Sequence, residues 1–175
     1  MPSPISSSTA LPIAYFALRT LIVLNWVYGL GILVLLFVMP HERWIMASFK
    51  LEPSPDAERL IMGLRVIAVI GLSAVPLHYV VFKRLLAIVE SVRAGNAFAD
   101  TNALRLKTIA WMLLILNVLS IVIGGIARGI SSPEHPLHLN AGFSVNGWLA
   151  VLLTFVLARV FAEGSNMRAD LEGTV

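Results

Sequence analysis

The chain has 175 residues, 58% of them apolar before the 12 glycines are counted, and only 13% charged. Soluble domains carry about 25% charged residues and about 45–50% apolar residues with glycine included, so composition excludes a soluble globular domain, a disordered chain and a coiled coil. No cysteine is present, which removes disulfides, thiolate nucleophiles and Cys-ligated metal centres. The net charge of +3 lies along the flanks of oily segments. It marks topology rather than a basic binding face, and no direct contact with nucleic acid is expected.

Residues 1–12, with Pro2, Pro4, Pro12 and a Ser-Ser-Ser-Thr run, read as a short disordered tail. The first span falls near 18–40, uncharged from Thr20 to Pro40 between Arg19 and His41. A helix needs about 20 apolar residues to cross roughly 30 Å of hydrocarbon, and this segment meets that length. Its apolar core exceeds that of a signal peptide, no basic segment precedes it, and Val38-Met39-Pro40-His41 offers no small-x-small cleavage site. It is expected to stay as an anchor.

The outer loop, 41–61, is polar, and Ser54-Pro55-Asp56-Ala57-Glu58 predicts a helix that starts outside the membrane, with proline in its first turn and acids facing the positive end of the dipole. The second span, near 62–82, is short between Arg65 and Lys83, so Arg65 is expected to snorkel to the interface; Pro76 removes one backbone donor inside it. Past Lys83 the helix continues. Phe82, Leu85, Leu86, Val89 and Val92 form one oily stripe that ends at Gly95, a C-cap glycine, and the next helix starts near Asp100 or Asn102. That stripe has three readings: it lies on lipid headgroups, packs on the extension of a neighbouring helix, or docks a soluble partner.

The third span lies near 106–127 and the fourth near 143–162, separated by a second outer loop, 128–142. The last helix is expected to run on through Met167 and to end before Gly173, within a tail at 163–175. Lys and Arg collect in the inner loop between spans two and three (loop two), 83–105 with Lys107, which places that loop and both termini in the cytoplasm. The expected architecture is therefore all-α: one integral-membrane domain over 1–175, a four-helix bundle with cytoplasmic helix extensions.

Candidate chemistry is sparse. Asn25, His78 and Asn117 are the notable polar side chains inside spans, and no charged residue stands at mid-membrane as a proton-coupled carrier normally requires. Asn25 and Asn117 read as interhelical hydrogen-bonding groups, and Gly29, Gly31, Gly63, Gly71, Gly124, Gly125 and Gly129 as points of close helix approach, the last two in a G-x-x-x-G spacing. On the outer side His41 and Glu42 follow span one and His135 and His138 follow span three; imidazole with carboxylate suits Zn or Cu, although loop histidines without metal carry the same pattern. No phosphate loop, nucleophile elbow or His-Glu-x-x-His run appears, so neither enzyme activity nor a cofactor is expected.

Three stretches carry a family likeness: Gly95-Asn96-Ala97-Phe98, the entry to span three from Asn102 through Arg105-Leu106-Lys107, and Phe161-Ala162-Glu163-Gly164 near the end. With their surroundings they resemble a bacterial membrane-protein family, domain of unknown function 2975, across nearly the whole chain. Ala97 stands where that family often has proline, which leaves the turn less rigid. The resemblance implies a four-helix bacterial inner-membrane protein with both termini inside, whose genes often accompany a small helix-turn-helix regulator; it supplies no catalytic residues.

The function expected from these readings is noncatalytic and regulatory or sensory. A soluble partner such as a transcription regulator would contact Leu85, Leu86, Val89, Arg93, Gly95, Phe98, Asn102 and Arg105. The competing readings are a small transporter or channel subunit that self-associates through its glycine faces, and an outer-face metal-binding protein.

Overall fold

The computed structural model describes residues 7–38, 55–131 and 140–172. These form four helices: α1 (Ser7–Val38), α2 (Pro55–Arg93), α3 (Asp100–Ile130) and α4 (Val145–Glu172). Each is long and apolar enough to cross a bilayer, which makes this an all-α, multi-pass membrane protein. The length follows from the solvent: in hydrocarbon every backbone group must be satisfied within the segment, and only a continuous helix does so for a single crossing.

The helices pack in chain order, α1 on α2, α2 on α3 and α3 on α4. They run antiparallel, and the arrangement is an open layer with α1 and α4 at its edges. A cluster of Val81, Leu106, Ile109 and Ala158 fills the centre of the α2–α3–α4 half, with Phe82, Leu85, Ile88 and Phe161 against it. At the other end of the layer Ile61 and Leu64 of α2 meet Leu36 of α1.

Polar groups and glycines fix the α1–α2 seam. The Asn25 amide donates to the Val75 carbonyl at 3.0 Å, and a Cβ at Gly29 would stand 3.0 Å from Val75 Cγ1. Trp26 tilts against Tyr79 with ring centroids 5.7 Å apart. Small residues let backbones approach where lipid supplies no hydrophobic drive between helices. Gly63 does the same for α2 on α3, where a Cβ would strike Ile130. Gly31, Gly125 and Gly129 do not: among the described residues nothing lies within 4 Å of where a Cβ at any of them would stand.

The amino-terminal expectation needs correction. α1 starts at Ser7 and contains Pro12, so half of the segment 1–12 is helical rather than disordered. Pro12 lies in the second turn and is exposed, where the carbonyl it leaves without a donor, that of Ser8, is close to a helix end open to solvation. The start of α2 at Pro55 and the extension of α2 through Arg93 follow the sequence pattern.

Candidate functional site: the knot at the loop-two end

Four residues decide how α2 turns into α3. Gly95 takes φ +80, a conformation open to glycine without strain. Its N–H bonds the Val92 carbonyl at 3.1 Å and the next N–H, of Asn96, reaches back to the Ser91 carbonyl at 2.9 Å. Those two bonds are the Schellman cap, which closes the orphan carbonyls of α2. The chain then needs only Asn96 to Ala99 before α3 begins at Asp100, whose carboxylate lies at the positive end of the α3 dipole.

Asn102 locks this turn from inside. It is fully buried, and its amide nitrogen reaches the Ser91 hydroxyl at 2.5 Å, the Ala97 carbonyl at 2.9 Å and the Asn96 carbonyl at 3.4 Å. Its oxygen accepts from the Arg105 guanidinium at 2.8 Å, and the same Arg105 nitrogen donates to the Ala87 carbonyl of α2 at 3.0 Å. Ser91 in turn donates to the Ile88 carbonyl at 3.1 Å. Every polar atom of the Asn102 side chain is thus satisfied, the condition under which a buried polar network stabilises rather than costs.

The carboxy-terminal motif joins the same knot. The Phe98 ring stacks on Phe161 with centroids 5.5 Å apart and planes 31° from parallel, and a Cβ at Gly164 would stand 3.1 Å from Phe98 Cδ1. Gly95-Asn96-Ala97-Phe98, the entry to α3 and Phe161-Ala162-Glu163-Gly164 therefore converge in space.

This placement sorts the residues expected to form a docking surface. Leu85 packs against the central cluster, and Leu86 and Val89 are half-buried. Asn102 has no exposed atom for a partner to touch, and Arg105 is half-buried in the network. Arg93 is exposed, yet its guanidinium lies 5.3 Å from the Tyr15 ring centroid, a ring that Arg19 also approaches at 4.9 Å. Gly95 and Phe98 keep exposed surface.

Inside the spans Asn25 makes the expected interhelical bond, but Asn117 does not. Its amide donates back to the Leu113 carbonyl of its own helix at 2.9 Å. Its oxygen instead lies against Gly147 of α4, in the space a Cβ there would take. His78 bonds the Ala74 carbonyl of its own helix through Nδ1 at 2.9 Å. His41, Glu42, His135 and His138 lie outside the described residues. Among the described residues no three metal-ligating side chains come together.

One polar feature was not anticipated. Ser120 of α3 donates to the Gly142 carbonyl at 3.3 Å and accepts from the Gly142 N–H at 3.1 Å, while Gly124 lets the Ala141 backbone lie against α3. α4 then starts beside Ser120, with Ser144 capping the Gly147 N–H at 3.2 Å. Eight residues of helix separate Ser120 from Arg128, about 12 Å. The non-helical segment before α4 therefore sits well inside the level of Arg128. The sequence signal was Gly142 with the Ser144 cap, which ends the loop without showing its depth.

The family model described as "Protein of unknown function (DUF2975)" matches residues 9–175. No curated protein and no solved structure matches the chain.

Proposed function

The chain belongs to the DUF2975 family, and from that premise we propose that it is a noncatalytic regulatory protein of the bacterial inner membrane, which holds a soluble partner such as a helix-turn-helix regulator at its cytoplasmic face. The carrying observation is the knot itself: all three motif stretches are spent on tying loop two to the tail through Asn102, Phe98, Phe161 and Gly164. A turn fixed in this way presents the exposed residues around it as a rigid surface, and rigid presentation lowers the ordering cost of binding. Lys83, Arg84, Arg93 and Lys107 stand exposed about that end, and the excess of Lys and Arg supports a cytoplasmic location for it and for both termini.

Co-purification from native membranes after in-cell crosslinking at Asn96 tests the proposal. A soluble protein recovered with the wild type, and lost when Arg84 and Arg93 are both replaced by Glu, is the expected result. Recovery of no soluble protein under conditions that preserve weak complexes overturns it.

A second reading, a small transporter or channel subunit, draws on the Ser120–Gly142 contact. Non-helical backbone at membrane depth is tolerated where protein buries it or where it lines a water-filled cavity, and Gly125 and Gly129 leave an open face of α3 for a second copy. Solute or ion flux in proteoliposomes that is lost on Ser120→Val substitution would favour this reading over the first.

A further inference from the structure

Between α3 and α4, at the loop-two end, lies a groove of about 330 Å³ with Lys107 and Arg159 on its rim. Its remaining wall is apolar: Ala103, Leu104, Phe155, Ala158 and Ala162. We propose that this groove binds the headgroup of an anionic phospholipid, with the phosphate between Lys107 and Arg159 and an acyl chain descending past Phe155.

Charge supplies the first argument. Among the described residues the loop-two end carries Arg19, Lys83, Arg84, Arg93, Arg105, Lys107, Arg159 and Arg168 against five carboxylates, Glu90, Asp100, Glu163, Asp170 and Glu172. Lys107 has no hydrogen-bond or ion-pair partner among the described residues. Arg159 pairs with Glu163 at 2.8 Å, but the two side chains are 78% and 59% exposed. An exposed pair one helical turn apart is worth little and leaves the remaining guanidinium donors free for an anion.

The floor decides which anion. Both walls are helix interiors, whose backbone N–H groups are already bonded, so a free phosphate would find two side-chain cations above a greasy surface and no ring of donors. An amphiphile fits both parts. Leu104 is 65% exposed directly beside the cations, and Trp111, 49% exposed, stands edge-on to Phe155 with centroids 5.5 Å apart. Phe155 lies one turn from Arg159 along α4, about 6 Å toward the membrane centre. A tryptophan at that height matches the interfacial belt, where headgroup meets acyl chain. A soluble peptide would have to leave water to reach it.

The test uses the full chain with Trp26, Trp44 and Trp148 replaced by Phe, so that Trp111 alone reports. The protein is reconstituted in phosphatidylcholine vesicles doped with either brominated phosphatidylglycerol or brominated phosphatidylcholine, and quenching of Trp111 is compared at equal mole fraction. The proposal expects stronger quenching by the anionic lipid, with a preference that falls about tenfold in the double variant Lys107→Gln, Arg159→Gln. The charge-conserving pair Lys107→Arg, Arg159→Lys should retain most of it and controls for folding. Equal quenching by the two lipids overturns the proposal, as does a preference unchanged by removal of both charges. Displacement by inorganic phosphate as complete as by unbrominated phosphatidylglycerol overturns the lipid assignment in favour of a free anion.

Discussion

The amide nitrogen of Asn102 lies 2.5 Å from the hydroxyl of Ser91, and that one contact joins the first turn of α3 to the last turn of α2 where neither reaches solvent through the asparagine. Asn102→Ala would take a donor from the Ser91 hydroxyl and the Ala97 carbonyl and an acceptor from the Arg105 guanidinium at once. A loss of about 2–3 kcal/mol is expected, read as a lower midpoint in denaturant titration of the detergent-solubilised protein. A midpoint within error of wild type would remove the knot from the account.

Arg105 and Asn102 should behave as a unit, because the guanidinium bonds both the asparagine oxygen and the Ala87 carbonyl. A double-mutant cycle with Arg105→Ala and Asn102→Ala is expected to give a coupling of about 1–2 kcal/mol. Additive losses would show that each acts alone.

Gly164→Val forces Phe98 away from Phe161, since even a Cβ at Gly164 stands 3.1 Å from the ring. The expected cost is about 1–2 kcal/mol. The structural readout is a cysteine pair at Phe98 and Gly164 in a chain that has no cysteine of its own. Efficient oxidative crosslinking is expected, and its failure would separate the tail from loop two.

At the α1–α2 seam, Asn25→Ala is expected to cost about 1 kcal/mol, the usual size of an interhelical hydrogen bond in a membrane. Gly29→Leu should cost more, about 1–3 kcal/mol, because it meets the branched Val75 side chain. Unfolding in mixed micelles ranks the two variants, and the reverse order would contradict the close approach at Gly29.

On the opposite end, Gly124→Leu drives a side chain into the Ala141 backbone and is expected to expel the segment before α4. A single cysteine at Asn140 should then react faster with a membrane-impermeant maleimide than it does in the parent. Unchanged labelling would place that segment elsewhere.

The four helices were legible because the bilayer demands long uncharged runs, and the α2–α3 turn because Gly95 marks a helix end. Asn102 was legible only in part. Read as a loop residue it looks like surface, but it stands four and seven residues before Leu106 and Ile109, both buried, and so heads the buried stripe of α3. The basic residues about it concealed that periodicity. The seating of Gly142 on Ser120 left no mark of depth, because a loop glycine followed by the Ser144 cap is equally at home in water, and a lone serine inside a span does not say what it bonds. The order in which helices pack was also silent: every helix is apolar on most of its faces, so hydrophobicity cannot say which face meets protein and which meets lipid.

α3 continues for ten residues past Ser120 to Ile130, while α4 begins only beside that serine, at Val145. Over that rise of about 15 Å α3 is accompanied by α2, whose Gly63 meets Ile130, but not by α4, so among the described residues the helical flank on the α2–α3 side stands taller than the one on the α4 side. Lipids along the short flank must shorten or tilt their tails to meet it, while those along the tall flank need not. A protein of this shape imposes a slope on its annulus, and its neighbours in the membrane would feel a thickness gradient with a direction fixed by the order of its helices.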